Sequence, residues 1–299
     1  MRTQVGIVGA GPAGLMLSHL LHLEGIDSII LENRSRPYIE GRIRAGLIEH
    51  WARDLLIETG VGERMQRESL FHHGLHFCFD GALHHIDFVK LVGKGVTVYG
   101  QQEVIKDLVA RRLSDGGQIL FEAADVAVHD VTGTSPRITF KHDGKAQEIA
   151  CDFIGGCDGF HGICRPSIPN GVLTVYDREY PFGWVGVLSE SPPADDELIY
   201  SYHDRGFALY TMRSPSLARL YVQCAYHDDI ANWPDRRIWD ELHARLAGTR
   251  TLKEGKIVDK LLTAMHSVVV EPMQYGRLFL AGDSAHIQPP TGAKGTNLA

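Results

Sequence analysis

Apolar and polar positions along this chain follow two periods, and the points where one gives way to the other mark its elements. Thr3 to Val8 is a short apolar run, and from Ala13 to Leu23 apolar residues recur at helical spacing until Gly25. Asp27 to Glu32 (DSIILE) is a second, β-branched run, so the opening reads strand, turn, helix, strand. That is a βαβ unit, and its right-handed crossover makes the two strands a parallel pair. A further helix is predicted over Ala45 to Thr59, stopped by Gly60, and another over Glu103 to Leu113, preceded by a strand-like VTVYG at Val96 to Gly100. From Ile119 to Ile154 the elements become short strands with Thr132-Gly133 and Asp143-Gly144 as turns, and the pattern recurs from Trp184 to Cys224. Both stretches predict antiparallel hairpins. Trp239 to Leu246 is predicted as a helix, and Arg277 to Ala281 (RLFLA) as a short buried strand leading into a Gly-Asp turn. With no Pro/Gly/Ser-rich linker and no internal repeat, an interleaved layout is expected, in which nucleotide-binding pieces flank a β-rich domain.

Composition narrows the partners. With 299 residues, 44% hydrophobic and 22% charged, the chain has the make-up of a globular protein with room for one large or two medium cores. A formal charge of -7 leaves no basic stripe for a phosphate backbone, so nucleic acid is not the expected partner. The start, Met1-Arg2-Thr3-Gln4 followed by a short strand, lacks the long apolar core of a signal peptide, and no later run reaches membrane-spanning length. Five cysteines (Cys78, Cys151, Cys157, Cys164, Cys224) make an odd set without a CxxC pair, which argues against a disulfide framework and a zinc site and for a reducing cytoplasm. Each is expected to be a small buried hydrophobe.

Three motifs carry chemistry. Gly9 to Gly14 (GAGPAG) matches GxGxxG directly after a strand and at the opening of a helix. Gly9 allows the tight turn, Gly11 lets the backbone approach a pyrophosphate, and Gly14 lets helix and strand pack closely, while the helix N-terminus supplies amide donors. Glu32 ends the second strand, about 20 residues on, where a carboxylate accepts from an adenosine ribose. The second motif, Gly156-Cys157-Asp158-Gly159, is by itself only an acidic turn after a strand. In the third, LFLAGDSAHIQPPTGAKGTN, Asp283 sits at a strand end ahead of a glycine-rich run that leads towards another helix N-terminus. An acid and a row of amides there suit a ribityl chain and an electron-rich flavin ring.

GxGxxG, then DG, then GD in this order and spacing resembles the class A flavoprotein aromatic hydroxylases, and among them those that act on 4-hydroxybenzoate. The likeness runs along nearly the whole chain, through GRIRAG (Gly41 to Gly46), VYGQ (Val98 to Gln101), CDGFHG (Cys157 to Gly162), YPFGW (Tyr180 to Trp184), RGFAL (Arg205 to Leu209), VVEPM (Val269 to Met273) and PPTGAKG (Pro289 to Gly295). The resemblance implies an α/β (α+β) fold, a Rossmann-like FAD-binding domain interleaved with a β-sheet substrate-binding domain. The FAD-binding parts would be residues 1–72, 98–178 and 271–299, and the substrate parts 73–97 and 179–270. It implies a monooxygenase that uses NAD(P)H and O2 to hydroxylate 4-hydroxybenzoate beside its phenol through a flavin C4a-hydroperoxide, giving 3,4-dihydroxybenzoate without a metal. Homodimers are common in the family.

Residue by residue, the FAD contacts implied are Gly9, Gly11, Gly14, Glu32, Arg42, Arg44, Gln101, Asp158, Asp283 and Asn297, with Arg219 lining the path along which the family's flavin moves. The substrate site implied is Tyr200, Thr211, Arg213, Tyr221 and the carbonyl of Pro290, with Arg213 as the clamp on an aromatic carboxylate, since a guanidinium donates two parallel hydrogen bonds. Tyr200 would face the phenolic oxygen and begin a proton relay that ends at His72, whose ordinary pKa near neutrality suits exchange with solvent. Tyr38, Arg42, Arg44, His161 and Arg165 match the nicotinamide contacts.

The chain departs from the pattern in places. Asn33 and His266 stand where arginine is usual, which leaves NADPH favoured over NADH only modestly. Thr211 replaces serine, keeping the hydroxyl and adding a methyl, so a hydroxylase of another phenolic acid is the nearest alternative. Thr296 stands in place of leucine, and the sequence stops at Ala299, where the family continues into helices that cover the flavin and carry a second relay tyrosine. Impaired turnover of these 299 residues alone, or an FAD- or ligand-binding chain without turnover, is therefore the other expectation.

Overall fold

The structure, a computed structural model, describes every residue except Ala45 and Arg250. The chain forms two compact units, one of residues 1–69, 99–178 and 267–299, the other of residues 70–98 and 179–266.

The first unit is built on a six-stranded sheet in the order Gln274–Tyr275, Leu278–Leu280, Phe153–Gly156, Val5–Val8, Ser28–Leu31, Gln118–Leu120. All neighbours are parallel except the first pair, which is antiparallel. Its two central strands, VGIV and SIIL, are buried at every position, as a parallel sheet covered on both faces requires. Helix Pro12–Leu23 starts with proline at its first position, where the missing N–H costs nothing, and it packs against helix Gln101–Ser114. Ile7, Leu15, Ile30, Leu108 and Val109 lie at the centre of that core. Strands Ala124–His129, Arg137–His142 and Lys145–Ala150 form a separate antiparallel sheet. Arg64 ties helix Glu63–Glu68 down: its Nε donates to Asp107 at 2.7 Å and its Nη1 to Glu103 at 2.6 Å, while the Tyr99 hydroxyl donates to Asp107 at 2.7 Å.

In the second unit the sheet runs from Lys256–Glu271 through Thr174–Glu190, Leu217–Ala225, Ala208–Ser214, Leu198–Ser201 and Gly74–Phe79 to the edge strand Ala82–Asp87. Helix Asp235–Arg245 covers one face, and Ile238, Trp239 and Leu242 fill a core with Val185, Val187, Leu220 and Val222. Leu70–His72 pairs with Val96–Val98.

Two sequence expectations are corrected here. The helix predicted from Ala45, a residue outside those described, instead gives a short strand Leu47–Ile48 and a helix His50–Glu58. The Asn297 side chain explains the difference, because it donates to the Leu47 carbonyl at 3.0 Å and accepts from the Glu49 N–H at 2.9 Å, holding that stretch extended. The long strand Lys256–Glu271 was not anticipated, since its first half is exposed and charged and shows no alternation. All five cysteines are free and buried, and burial pushes the Cys157 thiol up to about 12. Among the described residues, no helix is long and apolar enough to cross a membrane.

Candidate active site

The glycine turn separates into three physical roles. Gly9 has φ +106°, and a Cβ there would lie 2.3 Å from the Cys157 carbonyl oxygen. At Gly14 a Cβ would lie 2.0 Å from the Gly9 carbonyl oxygen, so the helix can sit on its strand only without a side chain. Gly11 differs: a Cβ would meet nothing within 4 Å, so the demand for glycine there does not come from the protein. Open space over the amide end of a helix suits an extended diphosphate. The buried Glu32 carboxylate accepts from the Ala10 N–H at 2.8 Å and the Arg34 N–H at 2.9 Å, which fixes it beside the turn with acceptor capacity left for hydroxyls.

The two acidic turns lie in the same unit. Asp158 accepts from the Cys164 N–H at 2.8 Å through Oδ2, whereas its Oδ1 is buried and has no partner. Gly162 must be glycine because a Cβ would fall 2.1 Å from the Asp158 carboxyl carbon. Gly282 has φ +65°, and its Cβ position is 2.9 Å from the Ala13 methyl, so the Gly-Asp turn approaches the start of the first helix closely. Asp283 keeps a solvent-accessible edge, yet crowding by the surrounding chain raises its carboxyl pKa, with Arg44 and His286 pulling the other way. A row of backbone amides, a buried carboxylate and an unpartnered acid oxygen are what a dinucleotide with ribose and ribityl hydroxyls needs, and the residues present fit FAD.

The last segment is held by side chains. The Gln101 Oε1 accepts from the Thr296 hydroxyl at 2.9 Å, and Lys294 pairs with Glu49. Besides its bonds to Leu47 and Glu49, Asn297 donates to the Ala293 carbonyl at 2.7 Å, so its side chain is committed within the protein. Residues Lys294–Asn297 form a short helix. The Pro290 carbonyl accepts from the Ala293 N–H at 3.0 Å. Elsewhere in the unit, Arg34 and Arg42 lie over the exposed Tyr38 ring at 5.2 and 5.9 Å, and Arg44 is exposed nearby in sequence. Arg165 lies over the Phe160 ring at 4.3 Å and donates to the Phe160 carbonyl, while the exposed His161 meets the same ring edge-on.

In the second unit, strand register does the assembling. Tyr200 is opposite Leu209, Leu209 opposite Tyr221, and Tyr221 opposite Gly186, while Thr211 is opposite Arg219. Because side chains alternate between faces, Tyr200, Thr211, Arg219 and Tyr221 share one face of the sheet, and Arg213, at a register shift between Met212 and Ser214, joins them through its hydrogen bond to Tyr221. The Tyr221 ring fills the space that a side chain at Gly186 would take, since a Cβ there would be 2.8 Å from Tyr221 Cε1. Arg219 is buried, donates to the Tyr221 hydroxyl at 3.3 Å, and pairs with Asp259 at 3.4 Å. Arg213 is held down in pKa by burial and by the nearby Arg219, is linked to Tyr221 by a hydrogen bond, and buries an Nε with no partner. The Thr211 hydroxyl makes only a 3.3 Å bond to the Met212 carbonyl. Burial and the neighbouring Tyr221 push Tyr200 up to about 12, so it is a hydroxyl donor at neutral pH. Trp184 stacks on Phe207 at 5.0 Å, and Tyr200 meets Phe207 at 5.8 Å, giving the row an aromatic flank.

His72 differs from the solvent-facing histidine anticipated. It is only 1% exposed, neither ring nitrogen has a hydrogen-bond partner, and burial lowers its pKa against the pull of Glu197, Asp196 and Asp195. Its backbone pairs with Val96, beside Gly95, where a Cβ would lie 2.4 Å from the His72 carbonyl. Gly186, Asp259 and Trp184 escaped the sequence reading; an isolated glycine in a strand was the one available signal, for a close approach.

The glycine turn of the first unit, with open space at Gly11, is that of a flavoprotein. The chain belongs to the FAD binding domain family, whose model matches residues 2–299, and it carries out FAD-dependent aromatic hydroxylation. It is 46% identical over 302 residues to p-hydroxybenzoate hydroxylase of Acinetobacter baylyi, covering 100% of this chain and 74% of that one. An uncharacterized aromatic compound monooxygenase of Bacillus subtilis is 26% identical over 308 residues, and this chain spans 59% of its length. The fold matches that of p-nitrophenol 4-monooxygenase from Pseudomonas putida with a TM-score of 0.81 at 18% identity, over 99% of this chain and 76% of that one. It likewise matches aklavinone-11 hydroxylase with FAD and aklavinone at 0.78 and 20% identity, over 99% and 59%.

Proposed function

We propose that the protein hydroxylates 4-hydroxybenzoate at the carbon beside its phenol, consuming O2 and NAD(P)H and yielding 3,4-dihydroxybenzoate, NAD(P)+ and water. The observation that carries this reading is the polar row on one sheet face: Arg213 with an unpartnered buried Nε, flanked by Thr211 and Tyr221, with Tyr200 beyond. Arg213 takes the carboxylate in a charge-assisted bond, and Thr211 and Tyr221 add hydroxyl donors. A para-hydroxy acid has its phenol at the far end of the ring, for Tyr200 to receive. Since Tyr200 stays protonated well above neutral pH, it donates to the phenolate and favours the ionised form, which is richer in electrons at the ring carbon to be hydroxylated.

Bound FAD supplies hydride acceptance and oxygen activation. Gly9, Gly11, Gly14, Glu32, Arg42, Arg44, Gln101, Asp158, Asp283 and Asn297 are assigned to hold it, Asn297 through its main chain since its side chain is engaged. Arg219 is assigned to the flavin path, Pro290 to the phenol end, His72 to the end of a proton relay that begins at Tyr200, and Tyr38, Arg44, His161 and Arg165 to the nicotinamide, with NADPH as the preferred donor. The first unit is thus the FAD-binding part and the second the substrate part, in a cytoplasmic homodimer. Thr211, with its added methyl, is the one feature favouring a second reading, a differently substituted phenolic acid.

The test is NADPH oxidation by the flavin-loaded protein with 4-hydroxybenzoate and with other hydroxy- and aminobenzoates, with products identified. Stimulation by 4-hydroxybenzoate with 3,4-dihydroxybenzoate formed is expected. Stronger coupled hydroxylation of another acid would replace the proposed substrate.

A further inference from the structure

His76, His85 and Glu197 lie in the second unit, at the edge of its sheet. His76 and His85 are direct cross-strand partners on Gly74–Phe79 and Ala82–Asp87, and their ring centroids are 4.7 Å apart. Glu197 arrives from the segment before Leu198–Ser201, whose Ile199 is beside His76 in parallel register. One ligand atom from each of the three residues lies within 4.8 Å of the others. The His85 Nε2 is 2.7 Å from Glu197 Oε2, and His76 Nε2 is 3.6 Å from Asp195 Oδ1.

We propose that His76, His85 and Glu197 form a binding site for a divalent metal of the zinc class, with solvent in the fourth position. Two imidazoles and a carboxylate match the ligand preference of Zn2+ and of the later first-row ions, whereas Mg2+ and Ca2+ favour all-oxygen sets. Tetrahedral ligation at about 2.0–2.2 Å places donors roughly 3.3 Å apart, so the cluster needs only a modest contraction. The support around it is of the kind that orients ligands. Glu197 Oε1 is fixed by the Gly74 N–H at 2.9 Å, which leaves Oε2 to face His85. Gly74 also permits the His85 ring to lie across it, since a Cβ there would be 3.0 Å from His85 Nε2. His85 is the ligand most open to solvent: its side chain is 39% exposed, against 13% for His76 and for Glu197. A bound ion replaces the His85–Glu197 contact and clips the edge hairpin to the chain entering Leu198–Ser201. The proposal is independent of the hydroxylase reading, as no residue of that site takes part.

The flavin-loaded protein, stripped with a chelator and desalted, is titrated with Co2+ and Zn2+ alongside the exposed variant H85N and the double variant H76N/H85N. In the unaltered protein one equivalent of Co2+ is expected to give visible ligand-field bands of a four-coordinate nitrogen-oxygen site, and Zn2+ to raise the thermal midpoint. In H85N the affinity should fall at least about tenfold, the bands should disappear and the Zn2+ shift should vanish. H85N alone decides the matter if the double variant does not fold, because His85 is largely at the surface. The same bands and stoichiometry in H85N, or none in the unaltered protein, would overturn the site.

Discussion

In the first unit the turn that would meet a diphosphate is main chain, shaped by where side chains are missing; in the second, the surface that would meet an aromatic acid is side chain, gathered from neighbouring strands. Gly9, Gly11 and Gly14 fall within six consecutive residues, whereas Tyr200, Thr211 and Tyr221 come from three strands and meet only through register. A site of the first kind tolerates almost no added atoms; a site of the second kind can be altered one group at a time.

The largest effect expected comes from setting Gly14→Ala beside Gly11→Ala. The added methyl at Gly14 would stand 2.0 Å from a backbone oxygen, so a loss of about 3 kcal/mol of stability is expected in denaturant titration. At Gly11 the methyl meets nothing in the protein, so stability should stay within about 1 kcal/mol while flavin retention, read from the visible spectrum, falls sharply. Equal destabilisation by both would remove the distinction between the two positions.

In the second unit, Arg213→Gln removes the charged clamp and leaves the flavin side alone. KM for the aromatic acid should rise about a hundredfold, in keeping with about 2–3 kcal/mol for a charge-assisted bond, with flavin content unchanged. A variant that lost its flavin instead would show that the two regions cannot be altered separately.

The smallest effect concerns pH. Because burial holds His72 below its ordinary value, the unfolded chain binds the extra proton first, so stability is lost as pH falls below about 6.5. His72→Gln removes that proton-linked loss, and its own cost does not depend on pH. Below that pH the stability of the variant should fall less steeply than that of the unaltered protein, by at most about 1.4 kcal/mol per pH unit. Parallel slopes would mean that His72 gains its proton as readily in the folded state as in the unfolded one.

The same contrast explains what could be read in advance. The βαβ opening and glycine turn were legible because their signals are local: a run of apolar residues, a glycine spacing, an acid at the end of the next strand. The extended stretch at Leu47 and Ile48 was not, because the side chain that holds it belongs to Asn297. Nor was the burial of His72, since Phe71 beside it on the same strand is 52% exposed and the acids near its ring belong to residues 195–197. Arg219 was read from resemblance alone; its ion pair with Asp259 joins positions 40 residues apart and has no signature in either neighbourhood.

Glu32 shows what such local economy achieves. With one oxygen on the Ala10 amide and the other on the Arg34 amide, the acid ties the glycine turn to the segment that follows the second strand. Two main-chain bonds that hold the carboxylate in place spare a dinucleotide part of the ordering that binding would otherwise require. The residue best placed to grip the ribose has a second task as scaffold, so a neutral replacement would make association slower and looser at once.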